Sequence, residues 1–338
     1  MSQDACWRPG LPAEPQAGTV INMAEEERDG VRLTSLDKPL GDDLDVTKGE
    51  FVDYLDAVAD RLVPLLAGRP LSVKRVRPGQ APFMQRNVSK GAPDWVRTVP
   101  VWSEGSHREI AQVLCDDRRT LLWLANQRAV EFHVPFFRIG DDGPTGLVLD
   151  LDPPEGADFA MVVRAARLVR QALEDSGLAG AVKTSGSKGV HVVVPVRGAP
   201  FEDVAAATRA LAARTERLDP ELATTAYIKE DRHGRVFVDS TRSGQSTIVA
   251  AYSPRIRPGL PVSAPIGWDD LDAVRPEDFT VRSAAAGFPT EWAAELPEPQ
   301  VLPGDQVAEG HPIPIARVAA MHEGKRRKRA REAAGEGD

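Results

Sequence analysis

Asp150, Asp152 and Asp239 are the residues at which chemistry could begin. The first two close an apolar run inside GLVLDLDPPEG, residues 146–156. Successive side chains of an extended strand alternate between faces, so Asp150 and Asp152 emerge together while Leu149 and Leu151 point the other way. Pro153 and Pro154 cannot donate to a ladder and therefore stop the strand, fixing the two acids at its end. Carboxylates held side by side repel, and one takes up a proton unless a cation lies between them. A lone pair of this kind is more often a solvated strand end, so the rest of the chain has to decide. The stretch RVFVDS, residues 235–240, carries a third acid, Asp239, on the same face as Phe237 and opposite Val236 and Val238. Three strand-borne carboxylates suit a pair of divalent ions about 4 Å apart, which can bind a triphosphate, activate a 3′-hydroxyl and neutralise departing pyrophosphate.

Two further groups of residues point to phosphate. Ser185-Gly186-Ser187-Lys188-Gly189 packs two glycines, two hydroxyls and an ammonium into one turn, which can present backbone amides and a cation to an anion. It is not a Walker loop, because its spacing is different and a strand, VHVVVPV, follows it in place of a helix. His191 stands near the start of that strand. Gly-Ser turns are also common as plain punctuation. Lys48 lies in the first turn of a helix, where the macrodipole disfavours a cation by several tenths of a kcal/mol, roughly. An anion bound at that helix end offsets the cost, and Lys38 in LTSLDKPL is placed to share it.

The elements that must hold these residues follow from periodicity. Thr47-Lys48-Gly49-Glu50 has the form of a capping box, and Phe51, Tyr54, Leu55, Val58, Leu62, Leu65 and Leu66 continue at helical spacing until Gly68 and Pro70 end the helix. Further helices are predicted over residues 119–128, 158–176 and within 201–217. LVLDLD, AVKTS, VHVVVPV, RVFVDS and STIVAAYS read as strands, as does VEFHVPFF. KTSGSKGVHVVVP reads as two strands joined by a tight turn, which disfavours a purely parallel sheet. The order of elements predicts an α+β fold with mixed sheets.

Composition sets the limits. The net charge of −8 over 338 residues argues against a protein that coats nucleic acid indiscriminately. Between residues 69 and 97, however, Arg69, Lys74, Arg75, Arg77, Arg86, Lys90 and Arg97 face a single Asp94. Two cysteines, Cys6 and Cys115, exclude a disulfide framework and a thiolate zinc cluster, so any metal must use oxygen ligands, which suits magnesium or manganese. The N-terminus lacks the pattern of an export signal and no apolar run is long enough to span a membrane, so a cytoplasmic protein is expected. Residues 1–30 and the Pro-rich and basic residues 296–338 read as flexible tails around a domain at 31–295.

The stretches LTSLDK, TKGEFVDYL, GRPLSVKR, APDWVRTVPV, TLLWLAN, EFHV, LVLDLDP, GADFA, VKTSGSKGVHVVVPV, RVFVDS and AYSPR stand in one order over about three quarters of the chain. In that order they resemble the polymerase domain of bacterial DNA ligase D, of the archaeo-eukaryotic primase superfamily used in non-homologous end joining. The resemblance implies a primase-polymerase fold with mixed β-sheets flanked by helices around a catalytic cleft. It implies that Asp150, Asp152 and Asp239 bind two Mn2+ or Mg2+ ions and are catalytic. His133, Ser185, Lys188, His191, Arg242 and Arg255 would contact the sugar and phosphates of an incoming NTP or dNTP. Lys38 and Lys48 would grip the 5′-phosphate of a gapped or recessed DNA end. Phe83 would stack on the template strand, with Lys74, Arg75 and Arg86 as further DNA contacts. Ku and a separate ATP-dependent DNA ligase are the implied partners, since no KxDG motif of an adenylating ligase occurs. The chain departs from the family pattern at Ser35, where Asn is frequent, at Phe83-Met84, where two aromatics are usual, and across STRSGQSTIV after Asp239. An end-binding recruitment module without catalysis and a primase acting on single strands are the competing readings.

Overall fold

The computed structural model of the protein describes residues 25–103, 106–243, 246–316, 318 and 321. An N-terminal hairpin pairs β1 (Glu25–Arg28) with β2 (Val31–Thr34), and α1 (Lys48–Ala57) and α2 (Ala59–Leu66) follow. Then come β3 (Ser72–Arg77), β4 (Gln80–Gln85), β5 (Thr98–Ser103), β6 (Arg108–Val113), α3 (Arg118–Asn126) and β7 (Ala129–Pro135). Next are β8 (Gly146–Asp152), α4 (Phe159–Glu174), β9 (Ala181–Thr184), β10 (Val190–Pro195) and α5 (Phe201–Leu218). Short strands β11 (Ala223–Thr224), β12 (Val236–Asp239), β13 (Thr247–Val249) and β14 (Pro265–Ile266) precede α6 (Trp292–Glu295) and α7 (Gly304–Gly310).

Two sheets carry the fold. The larger runs β11-β12-β8-β10-β9-β14, antiparallel throughout except for the β11–β12 pair, and the smaller runs β13-β7-β3-β4. Sheets of both kinds with helices confirm the α+β expectation, and KTSGSKGVHVVVP is the antiparallel β9–β10 pair. Helices α4 and α5 pack on the larger sheet through β8, β10 and β12. The apolar stripe of α4, including Val162, Val163, Ala166, Val169 and Leu173, is buried there. Burial of each Val or Leu side chain contributes about 1.5–3 kcal/mol. The opposite face of the sheet turns toward β13, since Lys183 Nζ on β9 reaches the Val249 carbonyl.

The capping box forms as predicted: Thr47 Oγ1 accepts from the Glu50 amide at 3.1 Å, and Glu50 Oε2 accepts from the Thr47 amide at 2.8 Å. The single helix expected after it is divided at Val58 into α1 and α2, and Pro64 in the second piece has no amide to offer the Asp60 carbonyl. The apolar spacing runs unbroken through the division, so periodicity could not reveal it.

Both tail boundaries shift. Glu25–Arg28 is a strand paired with β2, and Arg28 ties it to Asp53 and Asp56 of α1 through ion pairs at 2.6 and 3.2 Å. At the other end, the Gln300 amide donates to the Pro195 carbonyl at 3.0 Å and its carbonyl accepts from the Arg197 amide at 2.9 Å, while α7 lies on α5. Proline content suggested flexibility there, yet the backbone groups that proline leaves are satisfied by the body of the fold. Residues 1–24 and the basic run after residue 321 lie outside the described residues. Among the described residues, no helix is long and apolar enough to cross a membrane.

The fit of α7 gives a direct test that residues past 296 belong to the folded body. A Cβ on Gly310 would lie 1.8 Å from the Ala206 carbonyl oxygen, a backbone atom that cannot step aside. Gly310→Ala is expected to lower the urea midpoint by about 1–3 kcal/mol in stability with an unchanged slope; an unaltered midpoint would mean that α7 is not docked.

Candidate active site

Register brings the predicted acids together. Asp239 on β12 pairs with Asp150 on β8, Asp150 pairs with His191 on β10, and His191 pairs with Lys183 on β9. Directly paired residues share a face, so Lys183, His191, Asp150 and Asp239 form one row across four adjacent strands. Asp152 stands two residues beyond Asp150 on the same face. His191 Nε2 lies 3.3 Å from Asp150 Oδ1, and Lys183 Nζ lies 2.7 Å from His191 Nδ1. Asp150, Asp239, His191 and Lys183 are all buried, whereas Asp152 reaches the open end of the strand.

The glycine turn closes over the end of this row. Ser185 Oγ accepts from the Ser187 and Gly189 amides at 3.3 and 3.2 Å, and the Ser185 amide donates to the Gly189 carbonyl at 2.9 Å. Lys188 is exposed at the tip. Glycine is required at both ends for different reasons: Gly186 has φ +66°, and a Cβ on Gly189 would lie 2.0 Å from the Leu151 carbonyl oxygen of the acid-bearing strand. Arg255 braces the turn from below, with Nη1 donating to the Ser185 carbonyl at 2.6 Å.

A carboxylate that the sequence reading missed links two of the predicted nucleotide contacts. Glu131 on β7 is buried, with one oxygen 2.9 Å from His133 Nε2 and 3.3 Å from Arg255 Nε, and the other accepting from the Ile256 amide at 3.0 Å. Burial opposes its ionisation, but the His133 bond, the Arg255 charge and the Ile256 amide together hold its carboxyl at about 2. Lys183 was missed as well. The signal for both was a charged residue in the middle of an apolar strand, AVKT and VEFHV.

Two of the acids are held back from ionising. Burial raises Asp150, against the pull of Arg242, Lys183 and Arg255. Burial and then the charges of Asp150 and Asp239 hold Asp152 up at about 6. Among the described residues no group of three His, Cys, Asp or Glu side chains is arranged to hold a metal ion as it stands. What stands between two of the acids is the Arg242 guanidinium, with Nε 3.6 Å from Asp150 Oδ2 and 3.3 Å from Asp239 Oδ2. The donor set, all hard oxygen on one face with the Asp150 and Asp152 carboxyls raised, suits a divalent cation in place of this guanidinium.

Other predicted residues lie elsewhere. Lys48 is buried at the start of α1, with Nζ donating to the Thr34 carbonyl at 2.7 Å and Asn126 Oδ1 at 2.6 Å; burial and then Arg128 lower it to about 8. Lys38 is joined to it through the backbone, its carbonyl accepting from the Lys48 amide at 2.8 Å, and its side chain is exposed. Arg75 does not face solvent as a DNA contact would. Its guanidinium donates to the Gln127 carbonyl, Gln85 and Ser89, because β3 is covered by the segment after β4. Arg69 is likewise turned inward, to the Pro135 carbonyl at 2.7 Å. Lys74 is half-buried on β3, and Phe83 is half-buried under Arg77, whose Cζ is 4.9 Å from the ring centre. Arg86 is exposed and lines a cleft of about 770 Å³ together with Trp102, Ser72 and Arg242. Trp102, 55% exposed on β5, was not singled out from sequence although an exposed indole beside basic residues is a natural stacking surface.

Comparison with known proteins places the chain in a family. The family described as LigD, primase-polymerase domain, matches residues 47–291. The bifunctional non-homologous end joining protein LigD of Bacillus subtilis (strain 168) is 35% identical over 268 residues, covering 78% of this chain and 43% of that protein. The multifunctional non-homologous end joining DNA repair protein LigD of Mycobacterium tuberculosis (strain ATCC 25618 / H37Rv) is 38% identical over 268 residues, covering 75% of this chain and 34% of that one. The chain therefore spans less than half the length of these curated relatives. Among solved structures, the polymerase domain from Mycobacterium tuberculosis ligase D in complex with DNA superposes with a TM-score of 0.65 at 34% identity, covering 74% of this chain and 93% of that one. The chain belongs to the LigD primase-polymerase domain family.

Proposed function

We propose that the protein is a template-directed nucleotidyltransferase that fills or extends DNA ends during non-homologous end joining. The observation that carries this reading is the register that sets Asp150, Asp152 and Asp239 on one sheet face beside a glycine turn fit for phosphate. A recruitment module without chemistry has no use for three crowded acids, two of which, Asp150 and Asp152, are held up against ionisation.

In this reading Asp150, Asp152 and Asp239 hold two divalent ions, magnesium or manganese. Those ions supply charge neutralisation for the triphosphate and activation of the primer 3′-hydroxyl. The loop amides, Ser185, Lys188 and His191 bind the triphosphate, and Arg255 keeps the turn in place. Arg242, released from the acids when ions bind, is free to turn toward the phosphates. His133, oriented by Glu131, faces the nucleotide sugar. Lys38 and the helix end at Lys48 recognise the 5′-phosphate of the downstream strand. Arg86 and Trp102 guide the template along the cleft, by charge and by stacking, and Lys74 and Phe83, which do not line it, meet DNA outside it. Substrates are NTPs or dNTPs, and partners are DNA ends with a 5′-phosphate, Ku and a separate ATP-dependent ligase that seals the product.

Extension of a gapped, 5′-phosphorylated duplex with each nucleotide set, in magnesium or manganese, tests the activity. Asp150→Ala and Asp239→Ala are each expected to lower incorporation by roughly 100-fold or more while gapped-duplex binding persists; undiminished incorporation would refute the assignment. Lys38→Ala is expected to narrow the preference for 5′-phosphate over 5′-hydroxyl gaps by about 3- to 10-fold, roughly one exposed charge contact. An unchanged preference in a gel shift would remove Lys38 from that role.

A pH dependence follows from Asp152. A carboxyl raised in the folded state favours the fold below its unfolded value, and that contribution is lost as pH rises through about 6. Divalent ions reverse the loss by pairing the ionised group. Manganese should therefore raise the melting temperature more at about pH 7.5 than at about pH 5, and Asp152→Asn should flatten the difference. Equal shifts at both pH values would argue that the ion binds elsewhere.

A further inference from the structure

Arg128 occupies the first position past the C-cap of α3, with φ +58°. Glycine is the usual residue there, because other side chains crowd the backbone in the left-handed region, and an arginine persists only where its surroundings hold it. Its Nη1 donates to the Pro39 carbonyl at 2.7 Å and to the Leu40 carbonyl. Its Nε and Nη2 make no hydrogen bond among the described residues and are not sealed from solvent. Arg128 also stands near enough to Lys48 that its charge, after burial, lowers that ammonium. Lys48 spends two of its three protons on the Thr34 carbonyl and Asn126 Oδ1, both neutral. Asn126 is itself fixed, by the Thr34 amide at 3.1 Å and by its own bond to the Arg32 carbonyl at 3.0 Å. Among the described residues neither Lys48 nor Arg128 has a carboxylate partner.

Two cations brought together and answered only by neutral oxygens repel each other, and an anion between them removes that cost. The end of α1 has no amide to spare for such an anion. The Lys48 amide donates to the Lys38 carbonyl at 2.8 Å, the Gly49 amide to the Leu36 carbonyl at 2.8 Å and the Glu50 amide to Thr47 Oγ1 at 3.1 Å. The helix dipole still favours negative charge here, but side chains must make the bonds. We propose that Arg128 is a third cation of the site for the 5′-phosphate of the downstream strand, its free Nε–Nη2 edge meeting the phosphate oxygens beside Lys38 and Lys48. The proposal deepens the end-recognition reading above and rests on it. A guanidinium edge offers two parallel donors, which match a phosphate in a way that an ammonium cannot. The Pro39 and Leu40 carbonyls hold the opposite side of the guanidinium, so Arg128 and the segment carrying Lys38 form one wall.

Fluorescence anisotropy with a gapped duplex whose downstream strand carries a 5′-phosphate or a 5′-hydroxyl reads the contribution as a ratio of dissociation constants. Arg128→Gly removes the guanidinium and suits the left-handed backbone. It is expected to weaken binding of the 5′-phosphate duplex by about 10-fold and of the 5′-hydroxyl duplex by less than about 2-fold, and to reduce the salt slope for the phosphorylated end by roughly one ion. Unchanged affinity, or equal losses on both duplexes, would overturn the proposal. In the Lys38→Ala background the same substitution is expected to narrow the phosphate preference further, because the two cations act separately. No added loss would mean that Arg128 merely holds the Lys38 segment, and would overturn direct contact. Should Arg128→Gly not fold, Arg128→Gln, which keeps an amide for the Pro39 and Leu40 carbonyls, takes its place with the same expectations. Wild-type protein without a 5′-phosphate preference would sink the end-recognition reading and the proposal together, whereas a wild-type preference that survives the substitution sinks the proposal alone.

Discussion

Strand register decides what this sheet can do. Directly paired positions on β9, β10, β8 and β12 bring a lysine, a histidine and two aspartates into line, and a one-residue slip of any strand would send its member to the helix-covered face. The apolar partners enforce that register. Leu149 and Leu151 on β8 and Val190 and Val192 on β10 occupy the alternate positions and are fully buried. The ionisable row is thus held in place by the hydrophobic face behind it.

The charges along the row are unevenly matched, and that imbalance prepares the site. Lys183 and Arg255 lie at one end and the acids at the other, with His191 neutral between them, since burial and then the charge of Lys183 push its pKa well down. Arg242 bridges Asp150 and Asp239 where a more compact cation would serve better. A guanidinium 46% exposed can swing away with little rearrangement of the core, whereas the acids it leaves cannot. Gly189 lets the 185–189 turn close directly onto the backbone of β8, the acid-bearing strand.

Much of this was legible in the sequence because it rests on periodicity. The alternation in GLVLDLD and RVFVDS gave the common face of the acids, and the capping box gave the start of α1. Pairing is not local, so the opposition of Asp239 to Asp150 could not be read from either stretch alone. Lys183 and Glu131 escaped notice for the same reason, since each acts on a histidine that the fold, not the chain, places beside it. Arg75 shows the converse. A basic residue in a basic segment suggested DNA, but the oxygens that take its protons are the Gln127 carbonyl, the Gln85 side-chain amide and the Ser89 hydroxyl, two of them from beyond its own hairpin. Proline-rich composition after residue 296 concealed a docked helix, because composition reports what a segment lacks and not what the body offers it.

The central claim is that three acids on two strands form a divalent-ion site at the mouth of a phosphate turn. Crystals grown with Mn2+ and a non-hydrolysable nucleotide would show it most directly through anomalous scattering from manganese. Peaks bounded by Asp150, Asp152 and Asp239, with Arg242 withdrawn from between them and the triphosphate on the 185–189 turn, are the predicted result. Manganese bound away from these acids, with the guanidinium still bridging Asp150 and Asp239, would contradict it.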